Sequence, residues 1–175
     1  MRSSCRDSLD LKALPQEFEL RPASNADCAA VTELIVGILR SYGLSPDHST
    51  TDIDMSDLEG FYRRSGGCFD VLVDRKSGRI IGTVGLRALD ATTIELRKMY
   101  LHKDYRGRGL GRSLLDHALV EARKREFKRM FLETATVLRE ALGLYRSAGF
   151  KPCTGDHPCA KRCDLTMELW LNEDN

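Results

Sequence analysis

A chain of 175 residues with 42% apolar and 30% charged residues has the size and composition of one globular domain, able to bury roughly 70% of the surface its unfolded form exposes. A net charge of +1 gives no chain-wide pull toward nucleic acid or an anionic membrane, and no apolar run approaches the ~20 residues of a membrane span. Met1 to Lys12 lacks the apolar run of a secretory signal and the six cysteines are scattered, so a cytoplasmic protein without a disulfide framework is expected.

The polar beginning, residues 1–15, reads as a flexible extension, and residues 16–175 as a single domain. Phe18 to Arg21 alternates like a strand up to Pro22. Ser24-Asn25-Ala26-Asp27 then carries an N-cap with an acid three residues on, opening a helix marked by Ala30, Leu34 and Ile38. Gly43 to Asp57 is a polar loop with an acidic bias, and Leu58 to Arg64 a short helix. Cys68 to Val73 and Arg79 to Leu89 are strand-like and flank Asp74-Arg75-Lys76-Ser77-Gly78, which has hairpin chemistry. Thr93 to Leu101 continues the meander. Leu110, Leu114, Ala118 and Ala122 repeat with helical period, Arg129 to Glu133 is a short strand, and Leu138 to Ala148 a helix stopped by Gly149. Leu165 to Leu171 alternates as a final strand. The order β-α-α-β-β-β-α-β-α-β-β predicts an α/β (α+β) fold, with a mixed, mostly antiparallel sheet of about six or seven strands flanked by about four helices.

Between the strand ending at Leu101 and the next helix lies Arg106-Gly107-Arg108-Gly109-Leu110-Gly111-Arg112. The first N–H groups of a helix lack intrahelical partners and the helix dipole is positive there, so an anion is favoured. Gly107, Gly109 and Gly111 admit a close approach, and Arg106, Arg108 and Arg112 add charge suited to a diphosphate. A nucleoside-triphosphate loop would need Gly-Lys-Ser/Thr where Gly111 is followed by Arg112, and a dinucleotide fingerprint would need glycine where Arg112 stands.

Arg106, Gly109 and Gly111 match the Gln/Arg-x-x-Gly-x-Gly/Ala cofactor motif of the GCN5-related N-acetyltransferase (GNAT) superfamily, which the chain resembles from about Phe18 to Leu171. Glu95-Leu96-Arg97-Lys98-Met99-Tyr100-Leu101 is similar to that family's preceding strand, and Ala141 to Phe150 to its later helix. The resemblance implies acetyl-CoA as acyl donor, with Arg106 to Arg112 on its diphosphate. It also implies a strand that splays from its neighbour and offers backbone groups near Met99, Tyr100 and Leu101 to the pantetheine arm. Transfer would be direct, onto a primary amine of a small molecule, peptide or protein, and a homodimer paired through the last strands is compatible with the family. A catalytically silent acyl-CoA-binding module is the alternative, separated from the enzyme by whether coenzyme A is released. Where many members carry an asparagine seven residues before the helix tyrosine, this chain has Leu138.

Acyl transfer to an amine needs a proton acceptor for the amine and a proton for the departing thiolate. By resemblance, Tyr145 supplies the second. Two carboxylates compete for the first: Glu95 on the strand before the glycine turn and Glu133 at the end of the next strand. Asp47, Asp52, Asp54 and Asp57 either attract a cationic acceptor or form a solvated loop, with His48 exposed beside them. Cys153, His157, Cys159 and Cys163 match no standard zinc spacing, and no metal is expected.

Overall fold

The computed structural model describes residues 14–47, 49–153 and 160–171. The chain folds as β1 (Phe18–Pro22), α1 (Cys28–Ser41), α2 (Leu58–Arg64), β2 (Cys68–Asp74), β3 (Arg79–Ala88), β4 (Thr93–Leu101), α3 (Leu110–Lys124), β5 (Arg129–Thr134), α4 (Arg139–Ser147), β6 (Lys151–Pro152) and β7 (Leu165–Trp170). Short 3-10 turns at Asn25–Asp27, Ile53–Ser56 and Lys103–Tyr105 join them. This is the order expected from the sequence, with small shifts at the ends: Leu138 caps α4 rather than entering it, and the last strand stops at Trp170. Of the proposed extension, residues 1–13 lie outside the described residues, while Leu14 packs on the core and Pro15 O accepts from Phe18 N.

The strands form one seven-stranded sheet in the order β1-β2-β3-β4-β5-β7-β6, antiparallel throughout except at β4–β5. Two cores divide its faces. Leu72, Ile81, Val84, Ile94 and Leu96 pack with α3 and α4, whereas Phe69 and Val71 pack with α1 and α2 through Val31, Ile35, Leu39, Leu58 and Tyr62. The alternation of β2 between the cores is the period-2 pattern that a sheet covered on both faces requires. Local chemistry fixes the helix starts: Asp27 Oδ2 accepts from Ser24 N at 2.8 Å, and Asp57 Oδ1 accepts from Gly60 N at 2.9 Å to cap α2.

Two irregularities in the middle of the sheet create the site. First, β4 pairs with β5 only from Thr93↔Arg129 to Leu96↔Leu132, although both strands run on to Leu101 and Thr134. The strands part there. Second, the β3–β4 register shifts between Thr83 and Gly85, so Lys98 and Met99 of β4 stand against Val84 alone. Lys98 sits in this bulge at φ 50°, and its carbonyl accepts a 2.6 Å bond from the buried Thr83 Oγ1. The extra residue turns Lys98 toward the α1–α2 side beside Arg97, and both donate to Thr51 O there, at 2.8 Å from Arg97 and 2.9 Å from Lys98. Gly85 is required nearby, since a Cβ there would lie 2.9 Å from the rings of Tyr62 and Phe69.

Candidate active site

A cavity of about 400 Å³ runs through the parting of β4 and β5. On the α3–α4 side it is lined by Gly107, Gly109, Gly111, Leu114, Ala141, Leu144 and Tyr145, and on the α1–α2 side by Ile38, Leu39, Tyr42, Thr51, Arg97 and Lys98. Glu95, Met99, Tyr100 and Leu101 come to it from β4, and Glu133 from β5.

Gly107 and Gly109 adopt φ of 74° and 82°, conformations that a side chain disfavours, and Gly109 is the N-cap of α3. A Cβ at either would meet nothing within 4 Å, so open space stands over the backbone N–H groups at the head of a 15-residue helix. That geometry fits a diphosphate. The arginines of the turn behave differently from one another. Arg106 lines the cavity, donating at 2.6 Å to Tyr42 Oη and at 3.2 Å to Leu101 O. Arg112 also lines it and pairs with Asp116 at 2.8 Å. Arg108 instead is exposed and stacks on the Tyr105 ring, 5.4 Å from its centre, and Leu110 drives its side chain into the core, leaving only its main-chain N–H for a ligand.

Beyond Leu96 the β5 side of β4 has no ladder partner, which leaves main-chain groups of Met99 to Leu101 facing the opening. Tyr145 is buried beside Phe150, and no hydrogen bond joins its hydroxyl to another described residue. Burial, with Tyr100 nearby, pushes its phenol well above the ordinary range, so the group is neutral and carries its proton. Burial likewise pushes the Tyr100 phenol up to about 12, with Asp52 adding to the rise and Arg162 opposing it.

The two candidate glutamates are held very differently. Glu95 is buried with both oxygens occupied: Oε2 by Arg87 at 2.7 and 2.9 Å, and Oε1 by Arg97 at 3.2 Å. Glu133 is half-buried, and of its two oxygens Oε2 accepts from Ala160 N at 3.1 Å.

The acidic loop is largely structural. Asp52 is buried and takes a bidentate pair from Arg162, both at 2.6 Å, as well as Lys98 Nζ. Burial pushes its carboxyl up, but the hydrogen bonds from Arg162 and Lys98 outweigh that and hold it well below the usual range. Asp54 accepts from Tyr62 Oη at 2.6 Å and from Arg97 Nε at 3.3 Å. Asp57 caps α2, and Asp47 holds Ser49 and Thr50, so none of the four acts as a loose anionic lure. The features that sequence reasoning missed are Arg97, Lys98 and Arg162 on the cavity wall. Only the charged stretch Arg97-Lys98 in the middle of β4 hinted at the first two.

His48, His157 and Cys159 lie outside the described residues, as does any site built on them. Cys153 and Cys163 are half-buried on either side of that segment.

The glycine turn, the split strands and Tyr145 together are the marks of an acyl-CoA acyltransferase site, and the sequence profile of the acetyltransferase (GNAT) family matches residues 32–150: the chain belongs to this family. Membership defines the reaction as acetyl transfer from acetyl-CoA to an amine, so the chain is an acetyl-CoA-dependent N-acetyltransferase. Among individual proteins, it is 31% identical over 159 residues to the uncharacterized N-acetyltransferase YjgM of Escherichia coli, covering 85% of this chain and 94% of that one. The fold matches an acetyltransferase of the GNAT family from Staphylococcus aureus with a TM-score of 0.81 at 22% identity, over 89% of this chain and 99% of that one. It also matches yncA of Salmonella typhimurium, solved with its cofactor acetyl-CoA, with a TM-score of 0.69 at 25% identity over 90% and 96% of the two chains. No helix among the described residues is long and apolar enough to cross a membrane.

Proposed function

We propose that Tyr145 and Glu133 carry the proton transfers of this N-acetyltransferase and that Glu95 is a positioning residue. The observation that carries this reading is the opening between β4 and β5, which brings the glycine turn, Tyr145 and Glu133 to one cavity. Gly107 to Arg112 hold the donor's diphosphate through main-chain N–H groups, with Arg106 and Arg112 adding charge. The freed backbone of Met99, Tyr100 and Leu101 orients the pantetheine arm. When bound, acetyl-CoA supplies the thioester carbonyl and a thiolate leaving group.

The attacking amine must be neutral, and Glu133, with one oxygen left to the cavity, takes its proton directly or through water. Glu95 is unsuited to that step because Arg87 and Arg97 already occupy both of its oxygens. Its contribution is to fix Arg97 on the wall. Tyr145, neutral and bearing a proton, donates to the leaving sulfur. Transfer is direct, the amine attacking the thioester carbonyl without a covalent enzyme intermediate.

The test is coenzyme A release with a panel of amines, run beside calorimetry of acetyl-CoA binding. Turnover supports the enzyme, whereas tight binding with no release from any amine would favour a silent acyl-CoA-binding module. pH–rate profiles separate the glutamates: Glu133→Gln should change the shape of the kcat/KM profile, and Glu95→Gln should keep the shape at a lower plateau. Wild-type profiles in both would mean that the amine loses its proton to solvent.

We place the protein in the cytoplasm, where Cys28 and Cys68 persist as thiols. We also propose a homodimer through the β7 edge, since the two-residue β6 pairs only with Met167 and Glu168. Light scattering that gives the monomer mass across micromolar concentrations would exclude it.

A further inference from the structure

The walls of the cavity differ in charge, and the difference bears on the acceptor. On the α1–α2 side the cavity is lined by three cations, Arg97, Lys98 and Arg162. The two acids that pair with them, Asp52 and Asp54, are fully buried and do not line it. Cations thus face the opening and carboxylates stand behind them. Glu95 does reach the wall, but Arg87 and Arg97 occupy both of its oxygens.

Burying ions costs several kcal/mol each unless partners compensate, so cations that face a cavity while their carboxylate partners stand behind them favour an anion on the open side. Arg162 is the best placed to meet one. Its pair with Asp52 uses one N–H on each terminal nitrogen. A guanidinium has five N–H donors. Lys98 donates to Thr51 O and to Asp52, and its ammonium stands 3.5 Å from Asp54 Oδ1, so its main contribution to the wall is charge. Across the cavity Glu133, on β5, faces the same space with the opposite charge.

Resting on the N-acetyltransferase reading above, we infer that the acceptor is an amine that also carries a carboxylate. The amine lies toward Glu133 and the carboxylate against Arg162, with Arg97 and Lys98 behind it. A free amino acid has this chemistry, as does a peptide terminus with a nearby acidic group. Cationic polyamines do not, because a second ammonium would have to sit against the three cations.

The experiment compares matched acceptors that differ only in charge: free L-amino acids, the same amino acids as C-terminal carboxamides, short peptides with an acidic residue after the N-terminus, and putrescine. Coenzyme A release is read as kcat/KM. The carboxylate acceptors should be preferred over their carboxamides by about 10- to 100-fold, the range for a hydrogen bond to a charged group. Arg162→Gln should collapse this preference toward one, and Arg162→Lys should restore part of it. A structural role alone would lower both acceptors together and leave the ratio unchanged, which overturns the inference. Turnover of putrescine or the carboxamides equal to that of the amino acids overturns it in the wild-type enzyme, whatever becomes of the variants. Silence from every amine of either charge, with acetyl-CoA still bound, would sink the acetyltransferase reading and this inference with it.

Discussion

The glycine turn allows strain and ligand contact to be separated. Gly109 at φ 82° and Gly78 at φ 69° occupy the same left-handed region, and a Cβ on either meets nothing within 4 Å. An L-residue in that region costs roughly 1–2 kcal/mol, and the lower unfolded-state entropy of alanine does not offset it where φ is positive. Gly109→Ala and Gly78→Ala should therefore lose similar stability, about 1 kcal/mol each, which in a chain of this size lowers Tm by roughly 2–4 °C. Their effects on ligand should diverge. Gly78 lies in the β2–β3 hairpin, outside the cavity, whereas Gly109 lines it at the head of α3. A methyl group there displaces a diphosphate from N–H groups whose bonds to a charged ligand contribute roughly 1.5–3 kcal/mol, so the Kd for coenzyme A should rise about 10- to 100-fold. Calorimetry on both variants, beside thermal denaturation, checks this. If Gly109→Ala binds coenzyme A within a factor of two of Gly78→Ala, the turn does not hold the diphosphate.

Tyr145→Phe should lower kcat by about 100-fold while changing coenzyme A affinity less than twofold, because positioned proton donors contribute on the order of 10²–10⁴ in rate; an unchanged kcat removes the assigned role. Asp52→Ala should destabilise the fold by about 3–5 kcal/mol, since it strands Lys98 and Arg162, whose side chains are 3% and 11% exposed. A loss below 1 kcal/mol in urea titrations would mean that water or Asp54 takes over the pairing. The Arg21 guanidinium holds the Asp27 carboxyl down to about 2, and Asp52 is also held low. A depressed acid stabilises the fold above its unfolded value near 4 and loses that contribution as pH falls through its folded value, so Tm should drop between about pH 4 and 2. Asp27→Asn should flatten that slope. Burial, with Asp70 adding, pushes the Cys68 thiol up to about 12, so at pH 8 it should react with iodoacetamide far more slowly than Cys28 in the folded protein and at the same rate in urea.

Much of this molecule was legible because its elements are punctuated by strong local signals. Ser24 and Asp27 announced α1, Asp57 capped α2 where its apolar run began, and Asp74 to Gly78 closed the β2–β3 hairpin. The conformational freedom of the glycine turn was legible because positive φ and an open approach are local properties of Gly107 and Gly109. What stayed hidden depends on residues far apart in the chain. The expected order ended in two strands, but the residues of the first could not be named, because two-residue β6 has no period of its own and is defined by its pairing with β7. The fate of the acidic loop was invisible for the same reason, since Asp52 is claimed by Arg162, 110 positions away, and by Lys98, 46 away. Nor could spacing rank Glu95 against Glu133. The difference lies in Arg87, which strand pairing sets opposite Glu95, and in Arg97, two residues on along the same face of β4.

That bulge joins the donor and acceptor halves of the site. Without the extra residue at Lys98, β4 would keep strict alternation, and Lys98 would fall on the α3–α4 face with Leu96. With it, Arg97 and Lys98 share the α1–α2 face, while Met99 and Leu101 turn to the core of α3 and α4. The same distortion sits directly after Leu96, the last residue of β4 paired with β5. One departure from regular geometry thus coincides with the end of the ladder, which exposes main chain to the donor, and stacks two cations on the opposite wall. A lysine at φ 50° is strained by roughly 1–3 kcal/mol, a cost glycine would avoid. Glycine would not reach Thr51, Asp52 and Asp54, and it would remove the charge behind Arg162. The strained residue is retained where its side chain, not its backbone, serves the site.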